Sequence, residues 1–325
     1  MAVKVAEEWF NICGGCEVSI LDIGEPLLDL LPKLEFVHMP VLMDHKYHGQ
    51  TGEGDPHKIE IPEADVGIVS GGIRNEKEKQ VALEMRNKCK TLISLGSCAC
   101  FGGIPAMANM WTLNELYDKV YRDSKSTEKA DTPKENLPPL LDRVYALDEV
   151  IKVDLSIPGC PPSPDWIKEA LVCLLSGKSF VMPEKSVCDE CPTKREKKAS
   201  GGEIKRPLDG GLQFKQDAPW EETRCFMEQG YLCLGPVTRA GCAGITAESG
   251  EAKVPRCIKG YMACRGCFGP VKKGANPLVD MMGALSSIGL NAQQVSDRRA
   301  MLNRYVGGHG MLKPLPAKPP VPVKK

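Results

Sequence analysis

The stretch from Cys225 to Gly269, CFMEQGYLCLGPVTRAGCAGITAESGEAKVPRCIKGYMACRGCFG, constrains this chain more than any other. It carries Cys225, Cys233, Cys242, Cys257, Cys264 and Cys267, with glycine and proline between them and no sustained apolar periodicity. A segment of this kind cannot fold around a hydrophobic core of its own. Stronger bonds must hold it: disulfides, zinc or iron–sulfur clusters.

The whole chain has 325 residues, 15 of them cysteine. The opening MAVKVAEEWFNIC has neither a basic n-region with an apolar h-region nor a twin-arginine leader. No run of 18 or more apolar residues occurs, so no membrane span is expected. The expected compartment is a reducing cytoplasm, where cysteines in this number argue for metal rather than disulfides. The odd count agrees, because it cannot pair completely. Formal net charge is zero and aromatics are 6%. Neither a nucleic acid nor an anionic membrane is expected as partner.

Strand and helix alternate from residue 1 to about 177. VKVAEEW (3–9) reads as a first strand, polar for a buried one. NICGGC (11–16) breaks the pattern, and EVSILDIGEPLLDLLPK has helical spacing interrupted by Pro26. Residues 34–43 read as a strand and 44–62 as a polar loop. DVGIVSGGI (65–73) suits a buried parallel strand, and 75–89 a charged amphipathic helix. KTLISLGSCACFGGIP (90–105) is an apolar strand entering a glycine-rich turn. Residues 110–146 read as an insertion with one or two helices. VIKVDLSIPGCPPSP (150–164) is a last strand, and 164–177 a helix with Pro at its start and Gly at its end.

The expected architecture is therefore α/β, a flavodoxin-like parallel-sheet domain over 1–177. A cysteine-rich, irregular domain over 178–275 follows, then a closing helix and a Pro/Lys-rich tail over 276–325. In an open parallel sheet, the loops after the strands share one edge, and ligands bind in the crevice there. Cys13 and Cys16 follow the first strand, Cys98 the fourth and Cys160 the last. Four thiolates distant in sequence are thus expected to converge. Cys100, two residues from Cys98, could replace it as a ligand. Cys89 and Cys173 lie on helical patterns and read as small buried hydrophobes.

Zinc is the bland explanation of any Cys-x-x-Cys pair, and three occur, at 13/16, 188/191 and 264/267. Zinc ribbons, however, pair two such knuckles at short spacing. Here single cysteines bordered by Gly and Pro intervene, which suits a larger inorganic cube. Glycine also lets backbone N–H groups reach cluster sulfurs.

CGGC after the first strand, GSCACFGG and PGCPP together resemble the small subunit of nickel–iron hydrogenases. CLGPVTRAGC (233–242) and RCIKGYMACRGC (256–267) resemble that family's later cysteine segments. The resemblance covers most of residues 1–270 and implies an electron-transfer subunit with three 4Fe-4S clusters. It implies proximal ligands Cys13, Cys16, Cys98 and Cys160; distal ligands Cys188, Cys191, Cys225 and Cys233; and medial ligands Cys242, Cys257, Cys264 and Cys267. Cys188 stands where periplasmic members often have His. Cys257 stands where many have Pro and a three-iron medial cluster. Both departures resemble the cytoplasmic hydrogenases of methanogens, chiefly the methyl-viologen-reducing, deazaflavin-non-reducing type. That implies three partners: a nickel–iron large subunit, a small iron–sulfur adaptor subunit and heterodisulfide reductase. The chain lacks the family's nickel-binding motifs and is not expected to split hydrogen alone.

Three rival readings differ in one observable each. A deazaflavin-reducing relative would share the clusters but serve a flavoprotein acceptor. The cluster subunit of respiratory complex I resembles only the α/β part, and a zinc-stapled module would be colourless. Other polar features read as ordinary. His45 and His48 are expected at the surface. Gly71-Gly72 has no phosphate-loop sequence after it, and the charged run 194–198 reads as solvated loop. Glu17 directly follows the second cysteine, whereas the family commonly places a Glu one residue later. Glu17 is therefore expected to be a helix N-terminal acid.

Overall fold

The computed structural model describes residues 2–50, 52, 58–126, 128–199, 201–205, 211–215, 218–245 and 253–316. The end of the Pro/Lys-rich tail, 317–325, and part of the 44–62 loop lie outside the described residues. Among the described residues there are seven strands: β1 Val3–Trp9, β2 Leu34–His38, β3 Ala64–Ser70, β4 Ile73–Asn75, β5 Cys89–Leu95, β6 Leu140–Tyr145 and β7 Leu155–Ile157. The α-helices are α1 Gly15–Leu21, α2 Pro26–Leu30, α3 Glu76–Lys88, α4 Gly96–Phe101, α5 Leu113–Tyr117, α6 Pro164–Leu175, α7 Arg256–Lys259, α8 Pro277–Ser287 and α9 Arg298–Leu302.

Five strands form one parallel sheet in the order β2-β1-β3-β5-β7. Counted along the chain, this is 2-1-3-4-5, the flavodoxin-like doubly wound order, whose switch point lies between β1 and β3. The α/β expectation holds. Side-chain alternation along β1 sends Val5 to one face and Ala6 to the other. Val5 joins a core with Ile93, Leu95, Ile157 and residues of α1, α2 and α6. Ala6 joins Val69, Leu92, Val81 and Met85, under α3. A capping box at Asn75 and Glu78 fixes where α3 begins.

The polar look of β1 has a physical resolution. Glu8 is buried but paired: Oε1 lies 2.6 Å from His38 Nε2, and the Tyr47 hydroxyl donates to Oε2 at 3.1 Å. Glu7 is also buried, and its Oε1 has no hydrogen-bond partner among the described residues. Burial, with the charges of Glu17 and Glu8, pushes its carboxyl up to about 8.

Four elements differ from the sequence expectation. The strand expected over 34–43 ends at His38, two residues before Pro40, which cannot donate to a ladder. The run 65–73 is two strands, because Gly71 turns at φ +88° and sends β4 away. Its partner is β6, an antiparallel strand inside the stretch expected to be a helical insertion. The glycine-rich turn after β5 is a short helix, α4, closed by Gly102 at φ +83°.

Beyond residue 178 a second core gathers Val187, Phe226, Tyr231, Leu234, Phe268, Met281, Leu285 and Leu302. The cysteine-rich segment supplies some of these aromatics, but their complement comes from outside it. The closing helix α8 contributes Met281 and Leu285 to this core. α9, capped by Asp297, is too short to show a period in sequence. Among the described residues, no helix is long and apolar enough to cross a membrane.

Candidate metal centre

Cys13 and Cys16 follow β1, where Gly14 at φ +88° starts α1; a Cβ on Gly14 would lie 2.7 Å from the Trp9 ring. Cys98 lies in α4, immediately after β5, and Cys160 follows β7. All four therefore stand at the carboxyl edge of the sheet. Burial raises the pKa of the Cys16 thiol, and the charges of Glu17, Cys98, Cys100 and Cys160 add to it. Burial, then Cys160 and Cys13, pushes Cys98 up to about 12, against an N–H donated by Ile104. Burial and Cys13 raise Cys160. These four sulfurs face one another, as the strand order requires.

Cys100 stands apart. It is buried, with Sγ 3.3 Å from Ser94 Oγ and 3.5 Å from the Ser94 carbonyl it donates to. Two residues on a helical turn point in nearly opposite directions, so Cys98 faces Cys13 and Cys160 while Cys100 faces β5. Cys100→Ser is expected to leave iron content unchanged, because serine keeps the bond to Ser94. Loss of about four iron atoms, one cube's worth, would move the ligand from Cys98 to Cys100.

Cys188, Cys191, Cys225 and Cys233 form a second group. Burial raises Cys188, with Cys233, Cys225 and Cys191 adding to it and the Arg195 guanidinium opposing. Burial raises Cys225, against N–H donors of Glu228 and Met227. Burial pushes Cys233 up to about 12, with Cys225 and Cys191 contributing.

Cys242, Cys257, Cys264 and Cys267 form a third. Burial pushes Cys242 up to about 11, with Cys257 adding to it. Burial raises Cys264 well above its ordinary value; the charge of Cys233 in the second group adds most to that, then Cys257 and Cys267. Burial pushes Cys267 up to about 12, with Cys257, Cys242 and Cys160 contributing.

The three groups are linked in series. The Ser97 hydroxyl, next to Cys98, donates to the Cys267 carbonyl, joining the first group to the third. The Cys264 N–H donates to Cys233 Sγ at 3.3 Å, joining the third to the second. The third group thus lies between the other two.

Can these residues hold iron–sulfur clusters? All 15 cysteines are free. Among the described residues, no three His, Cys, Asp or Glu side chains crowd closely enough to grip a single ion. Burial raises nine of the twelve thiols, so four thiolates would not coexist in a group without a cation to offset them. Backbone reaches the sulfurs where a side chain could not: a Cβ on Gly96 would lie 2.2 Å from Cys16 Sγ, and one on Gly103 2.6 Å from Cys98 Sγ. Free thiols, N–H donors and bare glycines fit a cube of iron and sulfide.

Other residues fall as follows. His45 Nδ1 accepts from the Met39 N–H at 2.8 Å, and His48 Nδ1 donates to the Lys58 carbonyl at 2.6 Å. Gly71 is bare because a Cβ would lie 2.8 Å from the Phe10 and Asn11 backbone, so it serves strand approach rather than phosphate. Glu17 lies in the first turn of α1, as expected of a helix N-terminal acid, but not in solvent. It is buried, the Ser70 hydroxyl donates to its Oε1, and its Oε2 has no partner among the described residues. The buried Glu8–His38–Tyr47 group escapes sequence reading too; the adjacent acids in β1 are its one visible signal.

A family model described as NADH ubiquinone oxidoreductase, 20 Kd subunit, matches residues 13–174. A vhu subunit of the F420-non-reducing hydrogenase of Methanocaldococcus jannaschii is 39% identical over 306 residues, 94% of this chain and 95% of that one. The iron-sulfur subunit of the F420-non-reducing hydrogenase of Archaeoglobus profundus is 34% identical over 322 residues, 94% and 93% of the two chains. In fold, the chain is similar to one in the recombinant NiFeSe hydrogenase of Desulfovibrio vulgaris Hildenborough. The TM-score is 0.51 at 18% identity, over 84% of this chain and 95% of that one. The chain belongs to the nickel–iron hydrogenase small-subunit family, an iron–sulfur family, in its F420-non-reducing branch.

Proposed function

We propose that this chain carries electrons from hydrogen oxidised in a nickel–iron large subunit, through three 4Fe-4S clusters, to a small iron–sulfur adaptor and on to heterodisulfide reductase in the cytoplasm. One observation carries the reading: the free thiols fall into three groups of four, joined by the Ser97–Cys267 and Cys264–Cys233 contacts. Cys13, Cys16, Cys98 and Cys160 hold the proximal cluster; Cys242, Cys257, Cys264 and Cys267 the medial; Cys188, Cys191, Cys225 and Cys233 the distal. When bound, the clusters take up and pass on single electrons. The chain's own residues set the spacing, exclude water and donate N–H groups to the sulfurs, which tunes potential.

The same reading assigns the proximal set to a 1–177 unit and the other two sets to 178–275. Residues between Leu278 and Leu302 close against the second core. Exposed apolar side chains stand on α1, which begins beside Cys13 (Val18 and Leu21), and on the loop after β2 at the same edge of the sheet (Val41, Leu42 and Met43). An exposed apolar surface of this extent supports a large, lasting interface, here with the large subunit.

Stepwise reduction followed by EPR tests the proposal. Three centres should titrate per chain, with broadening from interaction between neighbours. Fewer centres, or isolated signals, would contradict a series of three. Cys257→Pro sharpens the test. Position 257 lies in the first turn of α7, where proline is tolerated. The variant should show a new three-iron signal when oxidised; without one, Cys257 is not a ligand.

A further inference from the structure

Behind the cluster groups lies a cavity of about 410 Å³, within the roughly 300–1,000 Å³ of ligand pockets. It opens at the outer edge of the sheet, where β7 has no further strand beside it. Of the cysteines only Cys100, held by Ser94, touches it. Its walls are apolar: Phe101 and Leu155 from the α/β part, Phe180, Met182, Val306 and Met311 from segments beyond.

Its polar groups are few and mostly cationic. Asp148 is the one carboxylate among the lining residues, against Arg239, Lys273 and His309. Asp148 lies 2.5 Å from His309 Nε2 and 3.2 Å from Lys273 Nζ. The hydrogen bond that His309 donates to Asp148 raises the pKa of His309. One carboxylate cannot neutralise three cations. Among the described residues, Arg239 makes a single side-chain hydrogen bond, from Nη1 to the Pro183 carbonyl at 3.1 Å, which leaves the other donors of its fork to a guest. On the floor, Ser156 accepts from the Ser94 hydroxyl at 2.8 Å, and its own hydroxyl is turned to Cys100.

We infer that this cavity binds a small amphipathic anion, with a carboxylate or phosphate head at Arg239 and Lys273 and an aliphatic or aromatic body against Phe101, Leu155 and Phe180. An uncharged apolar guest would leave the excess positive charge unmatched. A fully polar one would cover apolar wall without displacing water favourably. The pocket is built from both parts of the chain, so a guest that fills it also ties them together and raises the unfolding temperature.

Calorimetric titration of the full chain, purified anaerobically, tests this with octanoate, octyl phosphate and octanol. The two anions should bind at one saturable site, and octanol about tenfold or more weakly, the discrimination expected of one charge-assisted contact. The tighter anion identifies the head group. Lys273→Ala, at a position whose side chain is 90% exposed, should weaken the anions several-fold and leave octanol unchanged. Leu155→Trp should fill the cavity and abolish binding of all three, and Val306→Phe does the same from the opposite wall should β7 not tolerate the change. Absence of saturable binding, equal affinity for octanol, or binding that survives both filling variants would each overturn the inference. None of these readouts depends on cluster content.

Discussion

Cys160→Ala is expected to remove about four of about twelve iron atoms and to bring hydrogen-dependent dye reduction by the assembled hydrogenase to background. Cys160 occupies a position that no neighbour can take over. It follows the last strand of the sheet, and its sulfur faces Cys13, Cys98 and Cys16. The remaining free cysteine in that region, Cys100, points at Ser94 and cannot swing across without unmaking α4. Alanine leaves Cys242, Cys257, Cys264 and Cys267 in place, so the medial set should survive while the first step from the large subunit is lost. Cys173→Ala provides the contrast. Cys173 lies on α6 and donates to Glu169 at 3.5 Å, away from all three groups. It should keep full iron content and activity. If the Cys160 variant also kept full iron, the proximal ligand set would be wrong.

The second large effect removes no ligand. Gly96→Ala places a Cβ 2.2 Å from Cys16 Sγ, at a φ of +82° that L side chains rarely adopt. The left-handed backbone alone costs about 1–2 kcal/mol. The overlap cannot be relieved by a flexible side-chain end, because Cys16 is itself buried against the sheet. Cys16 must move, and the proximal set is expected to lose its iron as in the Cys160 variant. Gly177→Ala isolates the backbone contribution. Gly177 has a φ of +66°, but nothing lies within 4 Å of a Cβ there. It should lower the unfolding temperature modestly and leave iron untouched. Equal iron content in both glycine variants would show that close packing at Gly96 does not hold Cys16 in place.

The sheet is legible in the sequence because its strands are apolar and its breaks are marked by Gly and Pro. Once an α/β order is read from 1–177, the convergence of Cys13, Cys16, Cys98 and Cys160 follows from topology, since parallel strands all end at one edge. What escapes is local or cooperative. β6 exists because β4 turns away at Gly71 and needs a partner, which no window around residues 140–145 reveals. α4 is six residues long and is hidden by its glycine and its two cysteines. The burial of Glu8, His38 and Tyr47 depends on three segments meeting, so each looks like an ordinary polar residue. The core around Phe226 and Phe268 is hidden for the same reason, because Met281 and Leu285 arrive from a helix beyond the cysteine-rich stretch.

The central claim is that the thiol groups hold iron–sulfur cubes rather than single zinc ions. Iron, sulfide and zinc content of the anaerobically purified chain, measured with its visible spectrum, tests that claim most directly. Three cubes predict about twelve iron and about twelve sulfide per chain, with a brown colour. Zinc with negligible sulfide, in a colourless protein, would contradict it and leave the parallel sheet as a scaffold for stapled loops.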